Sequence, residues 1–422
     1  VSATSELQRH TELLRLVTCG SVDDGKSTLI GRLLYDTKQI FVDQMEHIEE
    51  TSKRRGDTYT NLALLTDGLR AEREQGITID VAYRSFLTPR RRFQLADAPG
   101  HVQYTRNMVT GASTADLAVI LVDARNGVVE QTRRHAYIVS ILGIPHVVAA
   151  VNKLDLADWS EERFDEIALE LATLGLPDLK VIPMSALHGD NVVDASERMP
   201  WYDGPTLLEH LESVEIFYDR DLEHRRFPVQ WVIRPMADEH HDYRGYAGRV
   251  AGGVWRAGDE VVVLPSGQRT RVEAVETALG PIDAAVPPQS VTIRLADDVD
   301  VSRGDMLADP ERPPVVAREL VARVCWLSDR PLEARAKVAV KQTTRSVRAV
   351  VEELVSRIEI DTLVEVPGPE RLALNDIGVV RLRLAEPLCV DPYAESRETG
   401  AFIVLDEATN ETVGAGMVIS AS

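Results

Sequence analysis

The stretch Gly20-Ser21-Val22-Asp23-Asp24-Gly25-Lys26-Ser27-Thr28 decides how this chain is read. Residues 14–19 before it form an apolar, β-branched run that predicts a buried strand. Residues 29–35 after it read as the first turns of a helix. Gly20, four residues, then Gly25, Lys26 and Ser27 make the phosphate-loop pattern, in the strand–turn–helix context that pattern needs. A glycine-rich loop turns its backbone N–H groups inward around a triphosphate, and the helix that follows adds its own unpaired N–H groups and dipole. Lys26 is then placed for the β- and γ-phosphates and the Ser27 hydroxyl for Mg²⁺.

Working outward, the remaining motifs fall at or near strand ends. The run 146–151 leads into Asn152-Lys153-Leu154-Asp155. A carboxylate at Asp155 accepts from N1–H and the 2-amino group of guanine, donors that adenine lacks there, so the expected nucleotide is GTP. Asn152 is expected to brace the loop near the base and Lys153 to stack along it. Ser185-Ala186-Leu187 supplies backbone N–H groups for the guanine O6. Alone, Asn152–Asp155 can be an ordinary exposed turn; downstream of a phosphate loop and at a strand end it is a base reader. Asp97-Ala98-Pro99-Gly100-His101 closes another strand. Asp97 is placed to hold Mg²⁺ directly or through water, and the Gly100 N–H to meet the γ-phosphate. Thr78, within Gly76-Ile77-Thr78-Ile79, is the expected first-switch residue, completing the Mg²⁺ shell only when triphosphate is present. Thr28 and the loop residues Asp23 and Asp24 complete the expected nucleotide contacts. Residues 70–74 read as a solvated charged face.

Up to about residue 211, strands at 14–19, 80–87, 92–96, 117–122, 146–151 and 180–183 alternate with helices at 105–114, 130–142 and 161–174. That alternation predicts an α/β phosphate-loop domain whose mostly parallel sheet carries helices on both faces. After residue 215 the helical signal thins. Short alternating runs between glycine turns predict two small β-barrel domains, separated by Asp309-Pro310-Glu311-Arg312-Pro313-Pro314. The expected boundaries are 1–215, 225–310 and 315–422.

The chain has 422 residues, 47 basic and 67 acidic, a composition opposed to broad nucleic-acid binding. The longest apolar runs are strand-sized rather than membrane-spanning. The first residues lack a signal peptide's apolar core. Cys19, Cys325 and Cys389 lie far apart in apolar stretches, without metal or disulfide spacing, as in reduced core positions of a cytoplasmic protein.

Val22–Ser27, Gly76–Thr78, Asp97–His101 and Asn152–Asp155 together resemble the translation-factor class of GTPases, in which a G domain precedes two β-barrels. Within that class the chain is similar to the GTPase (large) subunit of bacterial sulfate adenylyltransferase. The resemblance rests on residues 67–80, 100–108 and 243–248, on Lys341-Gln342-Thr343-Thr344-Arg345, and on Asp24 where elongation factor Tu has histidine. It implies a GTP-hydrolysing subunit that couples this energy to making adenosine 5′-phosphosulfate and pyrophosphate from ATP and sulfate. A smaller catalytic subunit would carry the ATP chemistry, and an adenylylsulfate kinase is fused at the C-terminus in some relatives. No second phosphate-loop pattern follows residue 28. His101 stands where Ras-like proteins orient the attacking water with glutamine, so His101, Lys26 and Thr78 are the expected catalytic residues. The competing expectation is an elongation-factor-like carrier of aminoacyl-tRNA, which would use the same G domain. A regulatory GTPase with protein-docking barrels is the third.

Overall fold

The computed structural model describes residues 13–40, 42–55, 60, 62, 80–99, 105–216, 220–234, 243–359, 362 and 364–422. Thr78, Gly100, His101 and the charged run 70–74 lie outside these residues. The chain divides into two compact units, Val1–Ile216 and Phe217–Ser422.

The first unit is built on a six-stranded sheet. Its strands are β1 (Leu13–Gly20), β2 (Ala82–Leu87), β3 (Arg92–Asp97), β4 (Leu117–Asp123), β5 (His146–Asn152) and β6 (Leu179–Pro183). They lie in the order β2-β3-β1-β4-β5-β6, parallel throughout except that β2 runs antiparallel to β3. The expected strand alternation survives: the runs 14–19, 92–96, 117–122 and 146–151 each extend by one residue toward their loops, 180–183 begins one residue earlier, and the expected 80–87 starts only at Ala82. Among the described residues the unit's α-helices are α1 (Lys26–Asp36), α2 (Val42–Arg55), α3 (Thr105–Ala112), α4 (Glu130–Ile141), α5 (Glu161–Ala172) and α6 (Leu207–Ser213).

Alternation along the central strands shows why both faces must be covered. Val148 and Ala150 of β5 join one apolar cluster with Leu29, Ile30 and Leu33 of α1. Ala149 and Val151 join the opposite cluster with Ile167 and Leu171 of α5. Every residue of β4 is buried, as a central parallel strand requires.

Two helices lay beyond the pattern reading. In α2 (VDQMEHIEETSKRR) an apolar stripe is nearly absent, yet Ile48 and Ser52 are buried. α6 is short but held by a capping box. Thr206 Oγ1 accepts from the Glu209 N–H at 3.2 Å, while the Glu209 carboxylate accepts from the Thr206 N–H at 2.9 Å.

The second unit contains two closed, antiparallel six-stranded rings. One runs Gln268–Thr277, Ser290–Leu295, Gly245–Arg249, Arg226–Ile233, Met306–Ala308, Glu260–Leu264 and back to its start. The other runs Lys337–Gln342, Ala401–Leu405, Thr412–Ala421, Val315–Trp326, Ile377–Val390, Arg345–Glu359 and back. Closure removes the exposed edges an open sheet would carry. Phe227, Trp255 and Ile293 fill the first ring, and Leu320, Val340, Leu382 and Phe402 the second.

The strand Thr412–Ala421 carries two glycines, Gly414 and Gly416, which weaken its β signal in the sequence. Packing demands one of them: a Cβ on Gly416 would lie 2.2 Å from the Phe402 ring. The rings meet along a seam within this unit. Arg226 reaches Asp391 through two bonds of 2.9 Å each, and Met306, Val262, Leu264 and Ala308 pack around Cys389. All three cysteines are free and buried, and burial raises each thiol pKa to about 12.

Candidate functional site

Strand register gathers the motifs at one edge of the first sheet. Thr18 pairs with Asp97, Gly20 with Leu121, Asp123 with Asn152 and Val151 with Pro183. The phosphate loop, the Asp97 turn and the loops after β4, β5 and β6 therefore share the carboxyl ends of the strands, where open α/β sheets bind ligands.

The turn from β1 into α1 needs glycine at position 25. Gly25 has φ +94°, and a Cβ there would stand 2.5 Å from Asn152 Nδ2. That amide is structural mortar for the site. Asn152 Nδ2 donates to the Asp24 carbonyl at 2.8 Å, and Asn152 Oδ1 accepts from the Ala186 N–H at 2.9 Å. One side chain thus joins the phosphate loop to the Ser185–Leu187 loop, more than the brace expected of it.

Lys26 is 8% exposed, and its Nζ lies 3.2 Å from the Gly20 carbonyl and 3.5 Å from that of Ser21. Burial lowers its pKa, against the pull of Asp97 and Asp24. A desolvated ammonium held on neutral carbonyls is a ready partner for an anion. Ser27 and Thr28 sit in the first turn of α1, half-buried.

Asp24, 4% exposed, turns its carboxylate back to accept the Ser21 N–H. Burial is the main cause that raises its pKa to about 6, with Asp123 adding to the rise and Lys26 and Lys153 opposing it. Asp97 is buried at the end of β3, 3.5 Å from Thr18 Oγ1.

At the base end, Lys153 is in the left-handed region (φ +63°) and opens the single 3₁₀ turn Leu154–Leu156 that carries Asp155. The Lys153 ammonium donates to the Asp23 carbonyl and lies 3.0 Å from Asp123 Oδ2. Its contacts in this structure are thus the phosphate loop and the end of β4. The Asp155 carboxylate lies 3.9 Å from His188 Nε2. In the neighbouring loop the Ser185 N–H donates to the Asp190 carbonyl at 3.2 Å, and the Ala186 N–H is taken by Asn152.

Three residues of this site escaped the motif reading. Asp123, 1% exposed, fixes Lys153 and takes two side-chain bonds from Arg125, at 3.0 and 2.6 Å. Burial alone would raise its pKa; the bonds from Arg125 and Lys153 outweigh it and hold the group near 2. Arg32 of α1 reaches the carbonyls of Ala186 and Leu187 at 3.2 and 2.6 Å. The one available signal for Asp123 was a charge closing an otherwise apolar strand. Arg32 gave none, since its partners lie more than a hundred residues away.

Residues 11–216 fit the model of the elongation factor Tu GTP-binding domain, and residues 319–419 that of the GTP-eEF1A C-terminal domain-like family. Over 414 residues, 97% of this chain and 67% of the relative, the chain is 57% identical to the bifunctional enzyme CysN/CysC of Mycobacterium tuberculosis. It is 51% identical over 425 residues to sulfate adenylyltransferase subunit 1 of Bacteroides fragilis, covering 99% of this chain and 88% of that protein. The chain belongs to the sulfate adenylyltransferase subunit 1 family. The same subunit of Aeromonas hydrophila is 50% identical over 99% of this chain and 88% of its own length. The elongation factors are the wider background of the GTP-binding domain alone, and the tRNA-carrier expectation is set aside. Among the described residues no helix is long and apolar enough to cross a membrane.

Proposed function

We propose that this chain is the GTP-hydrolysing subunit of a sulfate adenylyltransferase, coupling GTP hydrolysis to formation of adenosine 5′-phosphosulfate and pyrophosphate from ATP and sulfate. The observation that carries the nucleotide half is the Asn152 brace, which ties the phosphate loop to the Ser185–Leu187 loop from the same short motif that carries Asp155. The sulfate half rests on the subunit 1 relatives, which match along nearly the whole chain.

In this reading Asp155 accepts the guanine N1–H and 2-amino donors. Lys26 neutralises charge on the β- and γ-phosphates, from a site where burial has removed its competing water. Gly20, Asp23, Asp24, Gly25 and Thr28 shape the phosphate loop, and Lys153 locks it to Asp123. Ser27 and Asp97, with Thr78, are the residues that would hold Mg²⁺. A hydroxyl in the first turn of α1 and a buried carboxylate at the end of β3 suit a cation that takes one or two protein oxygens and fills its shell with water and phosphate. Bound magnesium would supply charge neutralisation to the phosphates. His101 orients the attacking water, and the Gly100 N–H meets the γ-phosphate.

The subunit's partner is a small catalytic subunit that performs the ATP chemistry, and an adenylylsulfate kinase associates with the complex. A cytoplasmic site of action agrees with three buried, reduced thiols.

The test is GTP turnover by the chain alone, then with the small subunit, then with ATP and sulfate added. Strong stimulation that requires subunit and substrates together is expected. Turnover indifferent to all three would defeat the coupling role.

A further inference from the structure

We propose that Arg32 is a positioning residue for guanine selection, holding the Ser185–Leu187 loop so that the Leu187 N–H faces the guanine O6. This rests on the GTP reading above. The guanidinium uses both arms on one short loop: Nε on the Ala186 carbonyl at 3.2 Å and Nη2 on the Leu187 carbonyl at 2.6 Å. Its own place is set by Asp36, 3.5 Å away, and by the Tyr35 ring beneath it.

A trans peptide unit points its C=O and N–H in opposite directions. Drawing the Ala186 carbonyl toward α1 therefore turns the Leu187 N–H away from that helix. The same logic at the next unit sends the His188 N–H back to Ser185 Oγ, at 3.4 Å. The Ser185 and Ala186 N–H groups are already taken by Asp190 and Asn152. Among the described residues no protein acceptor takes the Leu187 N–H. It is the donor this loop has left to offer.

A donor held in one direction distinguishes guanine, whose C6 substituent accepts, from adenine, whose C6 amino group donates. A loosely held loop could turn a carbonyl toward the amino group instead. Arg32 supplies the rigidity, and does so from the helix whose first turn holds Lys26. The phosphate end and the base end of the nucleotide are therefore registered by one rigid element, Arg32 lying about 9 Å along the axis from Lys26.

The experiment measures displacement of a fluorescent GDP analogue from the full chain with Mg²⁺ by GDP, 6-thioguanosine diphosphate, inosine diphosphate and ADP. Sulfur is a weak acceptor, so the thio analogue reads the C6 contact; inosine lacks the 2-amino group and reads Asp155. The unaltered chain should bind the thio analogue about tenfold more weakly than GDP. Arg32→Met should shrink that ratio to about twofold while the inosine ratio holds within about twofold. Arg32→Lys, which carries the charge but cannot span two carbonyls, should fall between and carries the test if the Met variant fails to fold. Selection of GDP with a thio ratio indifferent to Arg32, or an equal loss for all guanine ligands, overturns the positioning role alone. Binding ADP as tightly as GDP in the unaltered chain overturns the GTP reading and this proposal with it.

Discussion

Two cations are buried in this molecule in opposite ways. Arg226, at the seam of the barrels, is 4% exposed and meets the Asp391 carboxylate in a two-bond fork, while Thr399 Oγ1 donates to the same carboxylate at 2.6 Å. Its charge is matched within the protein. Lys26 is buried to a similar degree, yet its hydrogen bonds in the protein are to backbone carbonyls. Burial consequently lowers its pKa. The charge at the seam is paired directly within the protein, whereas Lys26 feels Asp97 and Asp24 without a direct carboxylate bond, and in the proposed function an anionic ligand completes its shell. A buried charge left open by the fold marks where binding happens; one closed by the fold marks where rigidity is needed.

That contrast breaks first at the seam. Asp391→Ala strands the Arg226 guanidinium and should lower stability by about 3–5 kcal/mol in chemical denaturation, while Arg226→Met with Asp391→Leu should recover most of the loss. A single-variant cost no greater than the double's would show that the pair is not closed.

At Lys26 the expected result is reversed. Lys26→Met should weaken guanine nucleotide binding roughly a thousandfold while leaving the melting temperature of the nucleotide-free chain unchanged or raised. A large loss of stability without nucleotide would make Lys26 a structural cation like Arg226.

Asp24 sharpens the comparison through pH. Its pKa, raised from 3.8 to about 6, means that the folded state binds a proton more tightly than the unfolded one. The resulting penalty is absent below pH 3.8, grows between 3.8 and 6, and is complete above. Asp24→Asn should therefore gain up to about 2–3 kcal/mol at pH 8 and nothing at pH 3.5, read from denaturation midpoints.

Asp123 carries the opposite sign and the smallest effect. Held near 2, it contributes stability above pH 3.8 that disappears as pH falls toward 2. Asp123→Asn should cost about 1–2 kcal/mol at pH 7 and loosen Lys153, weakening GDP binding several-fold. An unchanged affinity would separate Asp123 from the site.

The site's legibility followed sequence distance. Gly25, Lys26, Ser27, Asn152 and Asp155 could be singled out because the turn into α1 and the loop after β5 are each made within a few consecutive residues. The strands of the first sheet were readable because burial on both faces demands unbroken apolar runs, as in β4. α2 was hidden by its charge, and the strand signal of Thr412–Ala421 is weakened by glycines, of which Gly416 is demanded by the Phe402 ring.

The sequence by itself therefore determined the α/β order of the first unit and the family, whose domain model is GTP-binding. Tertiary structure alone decided that Asn152 spans two loops, that Asp123 anchors Lys153, and that Arg32 grips a loop 155 residues away. It also decided that the barrels share a seam pinned by residues 165 apart. Local motifs are set by backbone conformation and near neighbours, which sequence spacing encodes. Pairings across strands and loops depend on register and closure, which exist only once the sheet and the rings have formed.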